Sequence, residues 1–511
     1  MRLITAYVIT FIASFCILVI EIVAGRILAP FVGVSLYTWT SIIGVVLAGI
    51  SIGAYFGGKL ADRFPERKTL GWLLLLAGLA ALSIAPLTNV IALYPFSVSL
   101  MWRIFFVTTL IFFIPSFLLG TISPVVVKLA IQNLDKVGNI VGKIYAFSTL
   151  GSILGTFATG FFLISWMGTR NIILMMGAIL ICTAIFLGSL FKTKKPAIAL
   201  LLFPSFLIWS IYGSVFGHPD IYAYFYKESN YFTIKLNKMQ STDGETWLEA
   251  LVLDRLLQSV VDTENPLHLE YGYEKIYSEV FEWKFGKGAE FKSLTIGGGG
   301  YTFPKYMEVV YPHAHIDVVE IDPEVTKVAY TYLGLPRNTR INTYNTDGRW
   351  FIMNCTSRYD AVFIDAFNDL SIPYHLTTKE FAQQLKSIMA TNALLLTNII
   401  DNFEKGAFLS SYIRTLQEVF GNKNVYLLSV NPGSQNIGIS TFIVIAGNGN
   451  LDINDFSLYS KSQRDVISHV VSENVLNDFL SKRHSVVLTD DYVPVDNLLA
   501  PVFEERFNYY R

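Results

Sequence analysis

Four short stretches in the second half of the chain carry residues that could do chemistry, each following an apolar, strand-like run. The first is Gly297-Gly298-Gly299-Gly300, directly after Leu294-Thr295-Ile296. Glycines there let the backbone approach a ligand, and a following helix presents free N–H groups to it. The strict G-x-G-x-x-G fingerprint fails, because Thr302 and Phe303 stand where a third glycine would fall. The second is Glu320, 21 residues after Gly299, where a carboxylate can accept hydrogen bonds from both hydroxyls of a ribose. Asp347 and Asp365 end the next two runs, placed to meet an adenine edge and the reactive end of the same ligand. Any one of these acids also suits a helix N-cap. Four sites in order along one sheet favour the ligand.

The elements that must hold them are legible. From Phe291 the pattern alternates: strand Leu294–Ile296, a helix through Met307, strand Ile316–Val319, a strand ending near Asn345, strand Asp360–Ile364, then Leu394–Asn398 and Ser440–Ala446. Strands separated by helices predict a parallel sheet covered on both faces, binding ligands at its carboxyl ends. Before it, Tyr231–Leu236 and Leu248–Leu253, with Thr242-Asp243-Gly244 as a turn signal, predict a small antiparallel lead-in sheet.

The first 217 residues are of another kind. Apolar runs near 4–25, 38–58, 70–93, 103–126, 143–166, 171–191 and 196–216 each approach the roughly 20 residues of a membrane span. Residues 1–217 hold 14 Lys+Arg against 4 Asp+Glu, whereas residues 218–511 hold 25 against 36. The near-neutral total thus hides a basic apolar half and an acidic soluble half, and the acidic half argues against nucleic acid. Lys and Arg crowd the second, fourth and sixth connections, which puts the N-terminus inside. Seven true spans would then put the C-terminal domain outside, so the side it occupies is left open. Glu21 sits at membrane depth, with Arg26 five residues on, and suits either a local ion pair or a ligand site. Gly57–Arg63 with Arg67-Lys68 resembles the loop between the second and third helices of major facilitator transporters. Gly151, Ser152, Gly155, Thr156 and Gly160 favour close helix packing. The three cysteines, Cys16, Cys182 and Cys355, offer no disulfide framework and no metal spacing.

At these residues the sequence resembles the spermidine synthase (polyamine aminopropyltransferase) family, and within it the membrane-fused branch. The resemblance is carried by Glu228-Ser229-x-Tyr231, Leu251-Val252-Leu253-Asp254-x-x-x-Gln258 and the run from Ile296 to Val325. It continues through Asp347-Gly348, Asp365-Ala366-Phe367-Asn368-Asp369, Leu376-x-x-x-Glu380-Phe381 and Thr489-Asp490-Asp491-Tyr492-x-Pro494-Val495. It implies a transmembrane helical bundle of about seven spans (1–217), an antiparallel lead-in and linker (218–289) and an α/β Rossmann-like domain of the S-adenosylmethionine-methyltransferase type (290–511). It also implies an integral, multi-pass plasma membrane protein. Gln258, Gly297 to Gly300, Glu320, Ile321, Asp347 and Gly348 would bind the adenosyl donor. Tyr271, Tyr273 and Asn368 would meet the amine, and Asp365, with Asp369, would hold and deprotonate it. No metal is implied. Two positions depart from the family. Its glycine motif has an aspartate where Gly300 stands, followed here by Tyr301, and its gate loop has a second acid where Asn368 stands.

Three readings follow. One is aminopropyl transfer from decarboxylated S-adenosylmethionine to a small amine. The second is methyl transfer from S-adenosylmethionine itself, since Gly300 leaves room for a donor carboxylate near the loop N–H groups. The third is a polyamine or lipid-amine transporter or sensor with a regulatory nucleotide domain, for which too few spans are present unless the chain forms a homodimer. Membrane lipid is an expected partner in all three.

Overall fold

In the computed structural model the described residues are 1–91, 98–131, 134–188, 223–242, 244, 246–367, 372–430, 438–449, 451–462, 466–483 and 485–509. They form two compact units, Met1–Ile221 with Glu228–Asn230, and Tyr222–Lys227 with Tyr231–Arg511.

The first unit is helical: α1 (Leu3–Val32), α2 (Leu36–Arg63), α3 (Arg67–Ile91), α4 (Leu100–Ala130), α5 (Val137–Ala158) and α6 (Ile164–Phe186). A π-turn, Thr159–Leu163, joins α5 to α6, and Gly168 breaks the helix inside α6 with φ +72°. The two apolar runs expected at 143–166 and 171–191 lie in one apolar stretch, Val137–Phe186, of 50 residues, and the break at Gly168 falls between them. Among the described residues, five stretches are long and apolar enough to cross a membrane. The run at 196–216 lies outside the described residues, so a count of seven has no support among them. Small residues set the packing. A Cβ on Gly53 of α2 would strike the Phe117 carbonyl of α4, and one on Gly151 of α5 would strike the Phe11 carbonyl of α1. Gly160, expected to share that role, faces open space. The transporter-like Gly57–Arg63 stretch is not a loop but the last turns of α2, and there Asp62 pairs with Lys128 of α4 at 2.7 Å.

The second unit opens with a four-stranded sheet, β1 (Phe225–Glu228), β2 (Thr233–Gln240), β3 (Trp247–Leu253) and β4 (Leu256–Val261), in that order. Only β2 and β3 were legible as strands. The turn after β3 is made by Asp254 at φ +57°, whose carboxylate accepts the Thr233 N–H at 2.9 Å. It sends β4 back across the sheet and delivers Gln258 and Ser259 to the site.

An eight-stranded sheet follows: β5 (Lys292–Ile296), β6 (His315–Val319), β7 (Asn342–Tyr344), β8 (Tyr359–Ile364), β9 (Met389–Asn402), β10 (Val425–Ser429), β11 (Ile439–Asn448) and β12 (His469–Val470). Its order is β12-β10-β11-β9-β8-β5-β6-β7. The strands β7-β6-β5-β8-β9 are parallel, as the alternation predicted. The far edge is not: β11 runs antiparallel to β9, and β10 antiparallel to β11. The sheet is mixed because the consecutive strands β10 and β11 pair with each other antiparallel, and antiparallel pairing needs no βαβ crossover. After β5 the chain turns first to β6 and β7, then returns to β8 on β5's other side. That reversal opens a crevice at the carboxyl ends of β5 and β8. Both sheets share one core, with Ile234, Leu236, Leu251 and Val261 packed in the same cluster as Ile316, Ala361 and Leu394.

Candidate active site

The Gly297–Gly300 loop crosses the crevice. Gly297 has φ +102°, and a Cβ on it would strike the Asp365 carbonyl, so only glycine lets β5 and β8 close together here. Its N–H donates to Val319 O at 2.8 Å. The remaining loop N–H groups are all engaged. Gly298 and Gly299 donate to Glu320 Oε2 at 2.7 and 3.3 Å, and Gly300 donates to Ser259 Oγ at 2.9 Å. Tyr301 follows at φ +55°, a costly conformation for a side chain. It is held by complete burial and a 3.1 Å hydrogen bond between its hydroxyl and Thr326 Oγ1.

Glu320 is buried at the end of β6, and its Oε1 accepts the Asp322 N–H at 2.9 Å. Burial raises its pKa and the three N–H donors oppose the rise. A carboxylate offers about four acceptor positions, so Glu320 keeps little spare capacity until the loop shifts. It is a brace of the glycine loop as well as a candidate ribose acceptor. The helix cap in this segment is Asp322, which accepts the Glu324 N–H at 2.9 Å. Ile321 is half-buried beside it.

Asp347 is itself a cap. Oδ1 accepts the Trp350 N–H at 2.9 Å, and Oδ2 lies 2.9 Å from His375 Nε2. Gly348 sits against Ile296, with no room for a Cβ.

Asp365 follows β8, half-buried. Oδ2 accepts the Tyr273 hydroxyl at 3.1 Å and Oδ1 accepts Asn398 Nδ2 at 3.0 Å. Burial raises its pKa, and those two donors pull it back. Tyr271 stacks on Tyr273 with ring centroids 5.7 Å apart, and its hydroxyl donates to Leu257 O at 3.0 Å. Gln258, Tyr273, Gly297 to Gly299 and Asp365 line one small cavity of about 20 Å³, room for roughly one water. Gly300, Glu320, Ile321, Asp347, Gly348 and Tyr271 do not line it. Asn368 and Asp369 lie outside the described residues.

Several residues of the site were missed. Ser259 and Asn398 hold the loop and Asp365; the available signal for Asn398 was a polar residue ending the apolar run Leu394–Asn398, although β9 itself continues to Asn402. Glu274, in the first turn of the helix Gly272–Phe285, had no such signal. It is 3% exposed and lines the cavity, and its Oε2 has no hydrogen-bond partner. Burial, then Asp365, pushes its pKa well above the usual range, while Lys305 acts the other way. Lys305 is buried too, donates to Leu333 O at 2.6 Å, and is lowered to about 8 by burial. The Tyr277 hydroxyl and Thr295 Oγ1, in the same cavity wall, are likewise unpartnered.

An open α/β sheet with a glycine loop and acids at its switch point is a Rossmann-like fold, in which ligands bind at the carboxyl ends of the strands. Residues 287–453 match the Spermine/spermidine synthase domain, and the chain carries a domain of the spermidine synthase-like family. It is 35% identical over 133 residues to a polyamine aminopropyltransferase of Vibrio vulnificus (strain CMCP6), covering 25% of this chain and 43% of that protein. It is 28% identical over 136 residues to an eEF1A lysine and N-terminal methyltransferase homolog of Drosophila melanogaster, covering 25% of this chain and 20% of that one. The chain thus spans less than half the length of these curated relatives. A probable spermidine synthase from Corynebacterium glutamicum ATCC 13032 superposes over 52% of this chain and 94% of its own, with TM-score 0.44 and 20% identity.

Proposed function

We propose that the C-terminal domain is an aminopropyltransferase that moves the aminopropyl group of decarboxylated S-adenosylmethionine to a small amine. The observation that carries the reading is the pair of carboxylates, Asp365 and Glu274, lining one cavity beside the glycine loop. Two acids there suit cationic amines.

The donor supplies a carbon activated by its sulfonium. The amine nitrogen bonds to that carbon as the carbon–sulfur bond breaks, the bonding pair goes to sulfur, and methylthioadenosine leaves. The amine arrives as an ammonium with no free lone pair, so it must lose one proton before it attacks, and the product nitrogen keeps its own. Asp365 holds the amine, orients its lone pair and accepts the proton, fixed in place by Tyr273 and Asn398. Glu320, Ile321, Asp347, Gly348 and Gln258 take the nucleoside, and Tyr271 and Tyr273 form the aromatic wall on the amine side. In this reading Asn368 and Asp369 keep the part in amine handling that the family resemblance implies.

The methyltransferase reading is favoured by the Drosophila relative. It depended on free loop N–H groups for a donor carboxylate. Those of Gly298, Gly299 and Gly300 are already bonded to Glu320 and Ser259.

We place the first unit in a membrane as the anchor of a multi-pass protein. Its five long apolar stretches support this, as do large apolar side chains on the helix surfaces, among them Ile4, Leu36, Phe161 and Trp166, all at least two-thirds exposed. Such exposure is costly in water and neutral against lipid.

Calorimetry of the detergent-purified chain with S-adenosylmethionine, its decarboxylated form and methylthioadenosine tests the reading. Tighter binding of the decarboxylated donor is expected; preference for the carboxylated one would make the methyltransferase reading correct. Glu320→Gln is expected to weaken methylthioadenosine binding by about tenfold, since the amide keeps one acceptor oxygen and turns an NH₂ toward a loop donor. Unchanged affinity would leave Glu320 as a loop brace alone.

A further inference from the structure

The Thr489-Asp490-Asp491-Tyr492 motif has no part in the chemistry above, yet the structure ties it to the nucleoside side of the site. Thr489 and Tyr492 exchange backbone hydrogen bonds at 3.0 Å in each direction, closing a tight turn. From that turn the Asp490 carboxylate accepts both guanidinium arms of Arg349, Nη1 to Oδ1 at 2.7 Å and Nη2 to Oδ2 at 2.5 Å. Thr378 Oγ1 donates to Oδ1 at 2.7 Å, and the Asp490 N–H donates to Glu380 Oε2 at 2.9 Å. Three chain segments far apart in sequence thereby meet on one carboxylate.

The cation so held stands two residues after Asp347. Arg349 Nη1 also reaches His375 O at 3.2 Å, and His375 in turn touches Asp347. A carboxylate has about four acceptor positions, and an arginine fork takes two of them. At Asp347 the Trp350 N–H and His375 use two. The two that remain suffice for a nucleobase amino group or for Arg349, not for both.

We infer that Asp490 is a positioning residue for the nucleoside: its bidentate grip on Arg349 keeps that guanidinium off Asp347 and leaves Asp347 free to accept from the base. The inference rests on the proposed role of Asp347 toward adenine, and it makes the C-terminal motif part of donor recognition.

The test is calorimetric binding of methylthioadenosine to the full-length chain and three variants. Asp490→Asn is expected to weaken binding at least about tenfold, because Arg349 is released. Arg349→Gln should bind within about threefold of the parent chain. The double variant Asp490→Asn with Arg349→Gln should recover to that same level, whereas a merely structural ion pair would make Arg349→Gln as damaging as Asp490→Asn. Failure of the double variant to recover overturns the inference, whatever its cause. So does an unaffected Asp490→Asn, or an Arg349→Gln as weak as Asp490→Asn. If the parent chain binds no methylthioadenosine, the adenosyl reading itself fails and the inference goes with it. The two failures are therefore separable.

Discussion

The Asp365→Asn chain is expected to lose transfer activity by about 10²- to 10⁴-fold, the usual contribution of a positioned proton acceptor. Its affinity for methylthioadenosine should stay within about tenfold of the parent, because that product carries no amine for Asp365 to hold. The asparagine can keep one of the two contacts, but its oxygen and NH₂ cannot both accept from Tyr273 and Asn398 as the carboxylate does. The pH profile adds a second readout. Asp365 must be ionised to take a proton, so the rate falls as pH drops through its pKa in the folded chain. Burial has raised that pKa, so the acid limb lies above the range of an exposed aspartate, and the asparagine variant's residual rate should lack it. A residual rate with the same limb would remove Asp365 from the role of base. Loss of nucleoside affinity in proportion to rate would make it a structural residue.

What the sequence disclosed and what it hid follow from the range of the forces involved. The ends of β5, β6 and β8 were readable because a buried parallel strand is a short apolar run, and polar residues or glycines must punctuate it where it meets the ligand edge. β10 and β12 were missed; β12 is a two-residue edge strand, and its pairing depends on Leu428 and Ser429, far earlier in the chain. The break expected between the runs 143–166 and 171–191 falls at Gly168, where the helix is interrupted, whereas the π-turn at Thr159–Leu163 had no signal in the apolar pattern. Asp347 shows the limit of reading single acids: both proposed functions of such a residue, cap and ligand contact, draw on one carboxylate, and His375, 28 residues on, takes a share of it. Glu274 was invisible for a plainer reason. A glutamate in the first turn of a helix is ordinarily a solvated residue facing the helix dipole, and only the packing of Tyr273, Tyr277 and Phe303 around the crevice turns this one inward.

That inward carboxylate supports the second large prediction. Where the family pattern has an acid in the glycine motif, this chain has Gly300, and a Cβ there would stand 2.7 Å from both Ser259 Cβ and Val261 Cγ2. The position has no space for an acid, so a cationic donor must be neutralised from elsewhere. Glu274 is in the same cavity with an unpartnered oxygen. In the ligand-free site its burial favours the protonated form; an arriving ammonium favours the ionised one, so binding should expel a proton. Glu274→Gln is expected to weaken the decarboxylated donor by about 10- to 100-fold, the worth of a charge-assisted hydrogen bond of about 1.5–3 kcal/mol. Methylthioadenosine, which has no ammonium, should bind within about threefold of the parent. Calorimetry in two buffers of different ionisation enthalpy should show proton release with the decarboxylated donor, absent with methylthioadenosine and absent in the variant. Equal weakening of both ligands would mean that Glu274 only supports the fold around Lys305. Donor binding without proton release would mean that the carboxylate is already ionised before the amine arrives, leaving the affinity difference between the two ligands to decide its part in recognition.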